Sequence, residues 1–446
     1  MYLNLTTRQR LTFLSNPLTR MSRTFQHKAL AQNAPQIRLV EVIGGDQTIN
    51  YRLLHTDLKT APPYKALSYT WGPRQPEQTI VLNGTEFRVG SNLYSFLHTY
   101  QGNTKSSDRA LLWIDQLCID QNNAREKNSQ VKMMASIYRG ALEVVCWLGP
   151  ANEHTQKAAW MLDLLESDYK LYHHAEWISR DPEVAGSSRQ FFQDLVYTAP
   201  MRKKAVYPRP DENGVILTGS CKSAIWNLLR NPYWTRLWIV QEIMLAQRIM
   251  LWWGSTRITR EGLVGLTEKL RFTYRDDVMT AWSHLCTILR KGRHREVPLG
   301  YELPASVTEE LQSLVFTFCS YGCADRRDKV FALMGLVRPE SLVKVDYTRT
   351  TKEVFLDAIR VMGQGIIKEA NRLNDSVSWD LFLDTSCRLG VEMFPEQFEP
   401  LTKGAGYDRY RVAKRIGIDP ERFLNNVKER ERTEYVVKRL DAYLVS

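Results

Sequence analysis

Three short apolar runs fix the kind of fold open to this chain. They are KALSYTW (Lys65 to Trp71), ending at the Gly72-Pro73 corner, ALLWI (Ala110 to Ile114), and EVVCWL (Glu143 to Leu148), ending at Gly149-Pro150. Each is strand-sized, and helical period appears between them. This alternation predicts an α/β fold with a mostly parallel sheet flanked by helices, because parallel neighbours need crossovers long enough to hold a helix. Asn123 to Arg139 is such a crossover: Val131, Met134, Ile137 and Tyr138 share one face, with Arg125, Lys127 and Lys132 turned away from it. TIVLNGTEFRV (Thr79 to Val89) sets Asn83-Gly84 between two alternating stretches, a strong hairpin signal. Ser91 or Asn92 is placed to cap a helix through His98, and Gln121-Asn122 to cap the helix from Asn123.

From about Asp168 to Ser220 the periodicity fades and Pro, Gly, Ser and charge accumulate, which reads as a variable insertion or a long loop. Helices are expected over Cys221 to Arg230 and Tyr233 to Gln247, with Pro232 suited to a first turn, and RIMLWW (Arg248 to Trp253) is a further strand. Beyond it the pattern is helical, over Arg260 to Tyr274, Val278 to Leu289, Val307 to Cys319, Arg327 to Leu336 and Thr351 to Met362. The expected organisation is a basic, disordered extension over 1–36, an α/β domain over 37–255, and a mainly helical region over 256–446 packed on it.

At 446 residues the chain exceeds the ~150-residue modal domain about threefold, so one large core or two smaller ones are expected. Seven scattered cysteines make no disulfide framework, which points to a reducing, cytoplasmic setting. No apolar run approaches the ~18 residues of a membrane-spanning helix. The net charge of +11 suggests nucleic acid, but acidic residues are interleaved with the basic ones and no binding motif accompanies them, so nucleic acid is not the expected partner. Met1 to Val40 lacks Asp and Glu while holding Arg8, Arg10, Arg20, Arg23, Lys28 and Arg38, a composition that leaves mitochondrial targeting as the alternative to an unstructured tail.

Common catalytic signatures are missing: there is no G-x-S-x-G elbow, no phosphate loop with Lys-Ser/Thr, no G-x-G-x-x-G and no H-E-x-x-H. The eight histidines form no ligand-spaced cluster, so no metal is expected. Polar residues at strand ends remain. Ligands of open parallel sheets bind outside the carboxyl ends of the strands. Ser68, Tyr69 and Trp71 end one strand; Asp115, Cys118 and Gln121 follow another; Trp147 and Gly149 end a third. Each also has a structural reading: Trp71 and Trp147 as core plugs, Asp115 as a turn cap, Cys118 as a small buried hydrophobe, and Arg125, Glu126 and Gln130 as braces on a helix surface.

The string NPYWTRLWIVQE (Asn231 to Glu242) is the sharper case. Trp234, Trp238 and Glu242 recur every fourth residue on the expected helix, with Arg236 and Gln241 flanking. A carboxylate along an aromatic stripe is partly desolvated, and is therefore functional or paired with an arginine such as Arg236 or Arg125.

Taken in order, ALSYTWG (Ala66 to Gly72), LWIDQLCIDQ (Leu112 to Gln121) and NPYWTRLWIVQE resemble the signature of the fungal heterokaryon incompatibility (HET) domain. The resemblance continues through QVKMMASIYRGALEVVCWLG (Gln130 to Gly149) and DRRDKVFALMGL (Asp325 to Leu336). It implies a module that triggers programmed cell death after non-self recognition, through self-association or an upstream recognition partner. The HET domain is in turn similar to Toll/interleukin receptor (TIR) domains, with a flavodoxin-like sheet, some of which cleave NAD with one glutamate in a Trp-Cys-x-x-Glu-like helix. Trp238 to Glu242 resembles that helix with the Cys absent. The likeness implies NAD(P) as substrate rather than cofactor, with Glu242 as catalytic carboxylate and Ser68, Trp71, Asp115, Arg236 and Trp238 lining the nucleotide site. Breaking the nicotinamide–ribose bond passes through an oxocarbenium-like state that a single carboxylate can stabilise. The alternative is a non-enzymatic signalling module that kills by self-association or by recruiting a partner.

Overall fold

The structure is a computed structural model, described here for residues 25–31, 34–43, 50–73, 75–104, 109–171, 219–263, 310–373, 378–402 and 407–444. The first part of the basic extension, most of the 168–220 segment and the expected helix Val278 to Leu289 lie outside the described residues, as does the expected helix Arg260 to Tyr274 beyond residue 263.

Nine strands form one sheet: β1 (Gln36–Ile43), β2 (Asn50–Asp57), β3 (Tyr64–Tyr69), β4 (Glu77–Leu82), β5 (Thr85–Gly90), β6 (Leu111–Trp113), β7 (Glu143–Gly149), β8 (Ile249–Trp253) and β9 (Thr256–Thr259). Their spatial order is β5-β4-β2-β1-β6-β3-β7-β8-β9. The expected mostly parallel sheet is mixed in fact. Its centre, β6-β3-β7-β8, is parallel, as is β2-β4, while β1-β2, β1-β6, β4-β5 and β8-β9 pair antiparallel. The margins include two hairpins, one made by the Asn83-Gly84 turn with φ of 51° and 75° and the other by Gly254 with φ of 56°. The central four run second-first-third-fourth in chain order, so the direction of winding reverses between β3 and β7. That reversal opens a crevice at the strands' carboxyl ends.

Burial follows from layering. Every residue of β7 is buried, as in a strand covered on both faces, whereas β4 alternates as a marginal strand does. In β7, Trp147 packs edge-on against Phe96 of α1 (Ser91–Asn103), with Trp252 of β8 stacked on Tyr100. On β6, Trp113 packs against Tyr138 of α3 (Ala124–Gly140), which follows the short α2 (Asp115–Cys118). Trp113 aligns with Ala66 and Trp147 with Tyr69, an odd number of residues apart on β3, so α1 and α3 cover opposite faces. Ser68 and Cys146 share the α3 face.

Several local expectations change. Asn123, rather than Gln121-Asn122, caps α3 by accepting from the Arg125 and Glu126 amides. Gly90 is the N-cap of α1, and Asn92 instead donates to the Thr70 carbonyl and accepts from Trp147, tying the ends of β3 and β7 together. Glu126 does not brace a surface; it takes both amino groups of the buried Arg38 at 2.5 and 2.9 Å. The close of the N-terminal extension, expected to be disordered, lies on the domain: Phe25 packs edge-on against Phe87, and Arg38 donates to the Lys28 carbonyl at 2.6 Å.

The expected helix Tyr233 to Gln247 is broken. A 3-10 turn over Pro232–Thr235 is followed by extended Arg236, and α6 (Trp238–Met244) begins only afterwards, α4 (Thr155–Leu171) and α5 (Gly219–Leu229) having come before. The cause is a backbone bridge: Leu237 donates to the Gly322 carbonyl at 2.9 Å and Gly322 donates to Thr235 at 2.7 Å. These bonds also join the α/β part to the helical region, which holds α7 (Leu311–Phe318), α8 (Asp328–Phe331), α9 (Thr351–Leu373), α10 (Trp379–Met393), α11 (Pro395–Thr402), α12 (Arg409–Arg415), α13 (Pro420–Asn426) and α14 (Arg432–Tyr443). Gln241 accepts from the Gly335 amide and Asn128 from that of Tyr347, so the two parts share one interior. No helix among the described residues is long and apolar enough to cross a membrane.

Candidate functional site

A cavity of about 460 Å³ lies beyond the ends of β3 and β6. That is within the roughly 300–1,000 Å³ of small-molecule sites. The α/β part lines it with Trp71, Asp115, Gln121, Lys127, Arg236, Trp238 and Glu242; the helical region lines it with Cys323, Asp325, Asp328 and Tyr347. No cluster of potential metal ligands occurs among the described residues.

Glu242 is 2% exposed. Ser68 Oγ donates to its Oε2, and Arg236 Nη1 stands 3.5 Å from the same oxygen. Tyr233 continues the chain, its hydroxyl 2.6 Å from Ser68 Oγ. Burial pushes the Glu242 carboxyl above the ordinary carboxylate range, held back by the Arg236 charge and the Ser68 hydroxyl. Burial works hardest against the charged form of Arg236, but Glu242 together with Tyr233, Asp115 and Tyr138 more than offsets it, and the guanidinium is raised. A residue-242 carboxylate paired with an arginine is therefore what the structure contains. The partner is Arg236, and both groups open onto the cavity.

The two tryptophans before Gly-Pro corners divide. Trp147 is fully buried within β7, whereas Trp71 lies past the end of β3, 40% exposed, and lines the cavity. Its indole donates to Asp115 Oδ2 at 2.8 Å. Asp115 does more than cap a turn: Oδ1 accepts from the Gln116 amide at 2.7 Å while Oδ2 holds Trp71. Burial raises its carboxyl, against the pull of the Trp71 bond and of the Arg236 charge. Cys118 is a packing residue. It is fully buried, accepts from the Ile114 amide at 3.3 Å, and its thiol is pushed up to about 12 by burial.

Five of the six expected site residues, Trp71, Asp115, Arg236, Trp238 and Glu242, line the cavity. Ser68 does not; only 1% exposed, it sits behind Glu242 and orients it. The expected stripe breaks at Trp234, which lies in the 3-10 turn ahead of α6; the Trp238 indole donates to Asp328 Oδ2 at 3.1 Å, and Tyr347 donates to Asp328 Oδ1 at 2.5 Å. Burial pushes the Asp328 carboxyl up to about 6, moderated by those bonds. Asp328, Tyr347 and Lys127 are site residues that sequence reasoning missed. Asp328 does fall in DRRDKVFALMGL, a string whose use was invisible without its neighbours. Tyr233 falls in the third string, and its link to Ser68 spans 165 positions of sequence.

The crevice thus lies at the winding reversal of an α/β sheet, walled by a buried Glu–Arg pair and two hydrogen-bonded indoles. Residues 64–242, about two fifths of the chain, match the family described as Heterokaryon incompatibility protein (HET), and that stretch spans β3 to the Glu242 helix. Over 377 residues, 76% of its length, the chain is 26% identical to Heterokaryon incompatibility protein 6, OR allele, of Neurospora crassa. Over 88 residues, 20% of its length, it is 31% identical to Vegetative incompatibility protein HET-E-1 of Podospora anserina. The matches span 54% of the first relative and 6% of the second. No solved structure matches the chain.

Proposed function

We propose that this protein acts in fungal non-self recognition and programmed cell death by hydrolysing the nicotinamide–ribose bond of NAD(P), with Glu242 as the catalytic carboxylate. The observation that carries this reading is the placement of Glu242. It is a nearly buried carboxylate that faces a nucleotide-sized cavity at the winding reversal of the sheet, with Ser68 and Arg236 both engaging Oε2. Oε1 is the oxygen assigned to the ribose. The second-first-third-fourth order of the central strands is consistent with the proposed TIR-like core.

As the bond to nicotinamide lengthens, positive charge spreads over C1′ and the ring oxygen, and the ionised carboxylate stabilises it at close range in a site of low dielectric. The bonding pair leaves with the nicotinamide nitrogen, which becomes neutral and needs no acid. Water then forms the new C1′–O bond and releases a proton to solvent. Asp115 fixes Trp71, and Asp328 fixes Trp238, so that both indoles present set faces to flat groups. The purified full chain, assayed at high concentration to permit assembly, is expected to release nicotinamide from NAD. Glu242→Ala is expected to abolish both release and killing. Nicotinamide release unaffected by Glu242→Ala would overturn the assignment.

A second reading is favoured by the same ion pair: Arg236 and Glu242 balance one another's charge at 3.5 Å, as a purely structural pair does. Killing then proceeds by self-association or recruitment of a partner, without turnover. It predicts no NAD consumption, killing that survives Glu242→Ala, and surface variants that lose it.

A further inference from the structure

The cavity wall supplied by the helical region carries a carboxylate that the proposed hydrolysis leaves unused. Asp328 is 7% exposed, and its two described hydrogen bonds come from neutral donors, Trp238 Nε1 and Tyr347 OH. Asp115 is held in the same manner by Trp71. The other two acids of the cavity are matched by cations, Glu242 by Arg236 and Asp325 by Arg327 at 2.6 Å. Lys127 stands over the Tyr347 ring at 4.2 Å. Two carboxylates thus bring negative charge into the cavity without an ion-pair partner at contact distance, and each orients a tryptophan that lines it.

We propose that Asp328 is a specificity-determining residue that makes the cavity select a flat cationic ring over the same ring uncharged. The inference rests on the reading of the cavity as a nicotinamide nucleotide site and names the part of the ligand that enters: the oxidised pyridinium end. An indole face attracts a cation through its quadrupole, most strongly where water is displaced, and a carboxylate hydrogen-bonded to the indole N–H both fixes the ring and makes it more electron-rich. A neutral ring gains the stacking and loses the charge attraction.

Asp328 can give this preference only while ionised. The groups facing it are Asp325 in the preceding loop, Lys127 from α3, and Tyr347 with Arg327 beside its ring. Burial sets its titration near pH 6, so the preference is expected at pH 7.5 and weaker at pH 5. Glu242 and Asp115 are also raised, so the Asp328 share is read as the difference between the natural chain and a variant at this position.

The test is calorimetric titration of the full chain with 1-methylnicotinamide, a permanent cation, and with nicotinamide, its neutral parent. The natural chain is expected to bind the cation about tenfold tighter or more at pH 7.5, the order of a desolvated cation–π contact, with the ratio shrinking at pH 5. Asp328→Asn is expected to bring the ratio towards one and remove most of its pH dependence. Tyr347→Phe keeps the carboxylate while removing one donor to it; the preference is expected to persist and its midpoint to move to higher pH. Equal binding of the two probes, or a preference and pH response unchanged in Asp328→Asn, overturns the inference. Neither probe has a glycosidic bond. A cation preference without NAD cleavage therefore sinks the hydrolase reading alone, and cleavage without the preference sinks this inference alone.

Discussion

Ser68 donates its hydroxyl to Glu242 Oε2, joining the end of β3 to α6 across 174 positions of sequence. Both side chains are buried, and Tyr233 supports the serine from behind. The arrangement divides labour: Glu242 faces the cavity, and Ser68 sets which way it faces.

Ser68→Ala removes that donor and leaves the Tyr233 hydroxyl with one partner fewer. The Glu242 carboxyl is expected to rise further, because the serine bond favours its charged form. Stability is expected to fall by about 1–3 kcal/mol, the cost of an unmet buried polar group, as measured by urea unfolding. In an active enzyme the acid limb of the pH–rate profile moves to higher pH while KM changes little.

The Arg236–Glu242 pair makes a sharper demand. Glu242→Gln keeps an acceptor for Ser68 and strands a guanidinium whose side chain is 18% exposed. Breaking a buried pair from one side costs about 3–5 kcal/mol, whereas replacing both partners with apolar groups is often neutral. Glu242→Gln is therefore expected to unfold at markedly lower denaturant, and Glu242→Leu with Arg236→Met together to recover most of the loss. Additive effects in the four-way cycle would show that the two do not interact.

Sequence pattern exposed the parts of this fold that local chemistry governs. Asn83-Gly84 declared its hairpin because that turn needs positive φ at both positions, and the apolar runs declared β3, β6 and β7 because both faces of those strands are covered. What stayed hidden depends on contacts distant in sequence. Nothing near Arg236 signals the bridge to Gly322 that interrupts the expected helix. Trp238 and Asp328 are hydrogen-bonded from 90 residues apart. Glu126 reads as a surface residue of α3 until Arg38, 88 residues earlier, is placed beside it. The site residues on strand ends were legible because their position follows from the sheet; the helical wall was not, because its approach is set by packing alone.

Two glycines at hairpin turns give a ranked prediction. Gly84 and Gly254 both have positive φ, 75° and 56°, so alanine is strained at each by about 1–2 kcal/mol. A Cβ on Gly84 meets nothing within 4 Å, whereas one on Gly254 would lie 2.6 Å from the Ala151 Cβ and 2.7 Å from its backbone nitrogen. Gly254→Ala is expected to cost a further ~1–3 kcal/mol of overpacking and to have the lower thermal midpoint. Equal midpoints would mean that the contact between the β8–β9 turn and Ala151 yields freely.

The pH dependence of stability tests Asp328 without any ligand. Its carboxyl lies near 6 in the folded chain against an ordinary 3.8, so the folded state holds the proton more tightly than the unfolded one. The contribution is fully present below about pH 4 and is lost as pH rises through 6, a decline of about 3 kcal/mol for a shift of this size. In Asp328→Asn one of the two donors, Trp238 on Oδ2 or Tyr347 on Oδ1, meets the amide NH2 instead of an acceptor. The variant is expected to be less stable than the natural chain at pH 4 and to lose much of that deficit by pH 8, where the natural chain bears the cost of a buried charge. Urea midpoints at half-unit steps between pH 4 and 8 measure the difference. A deficit that stays constant over that range would place the Asp328 titration elsewhere.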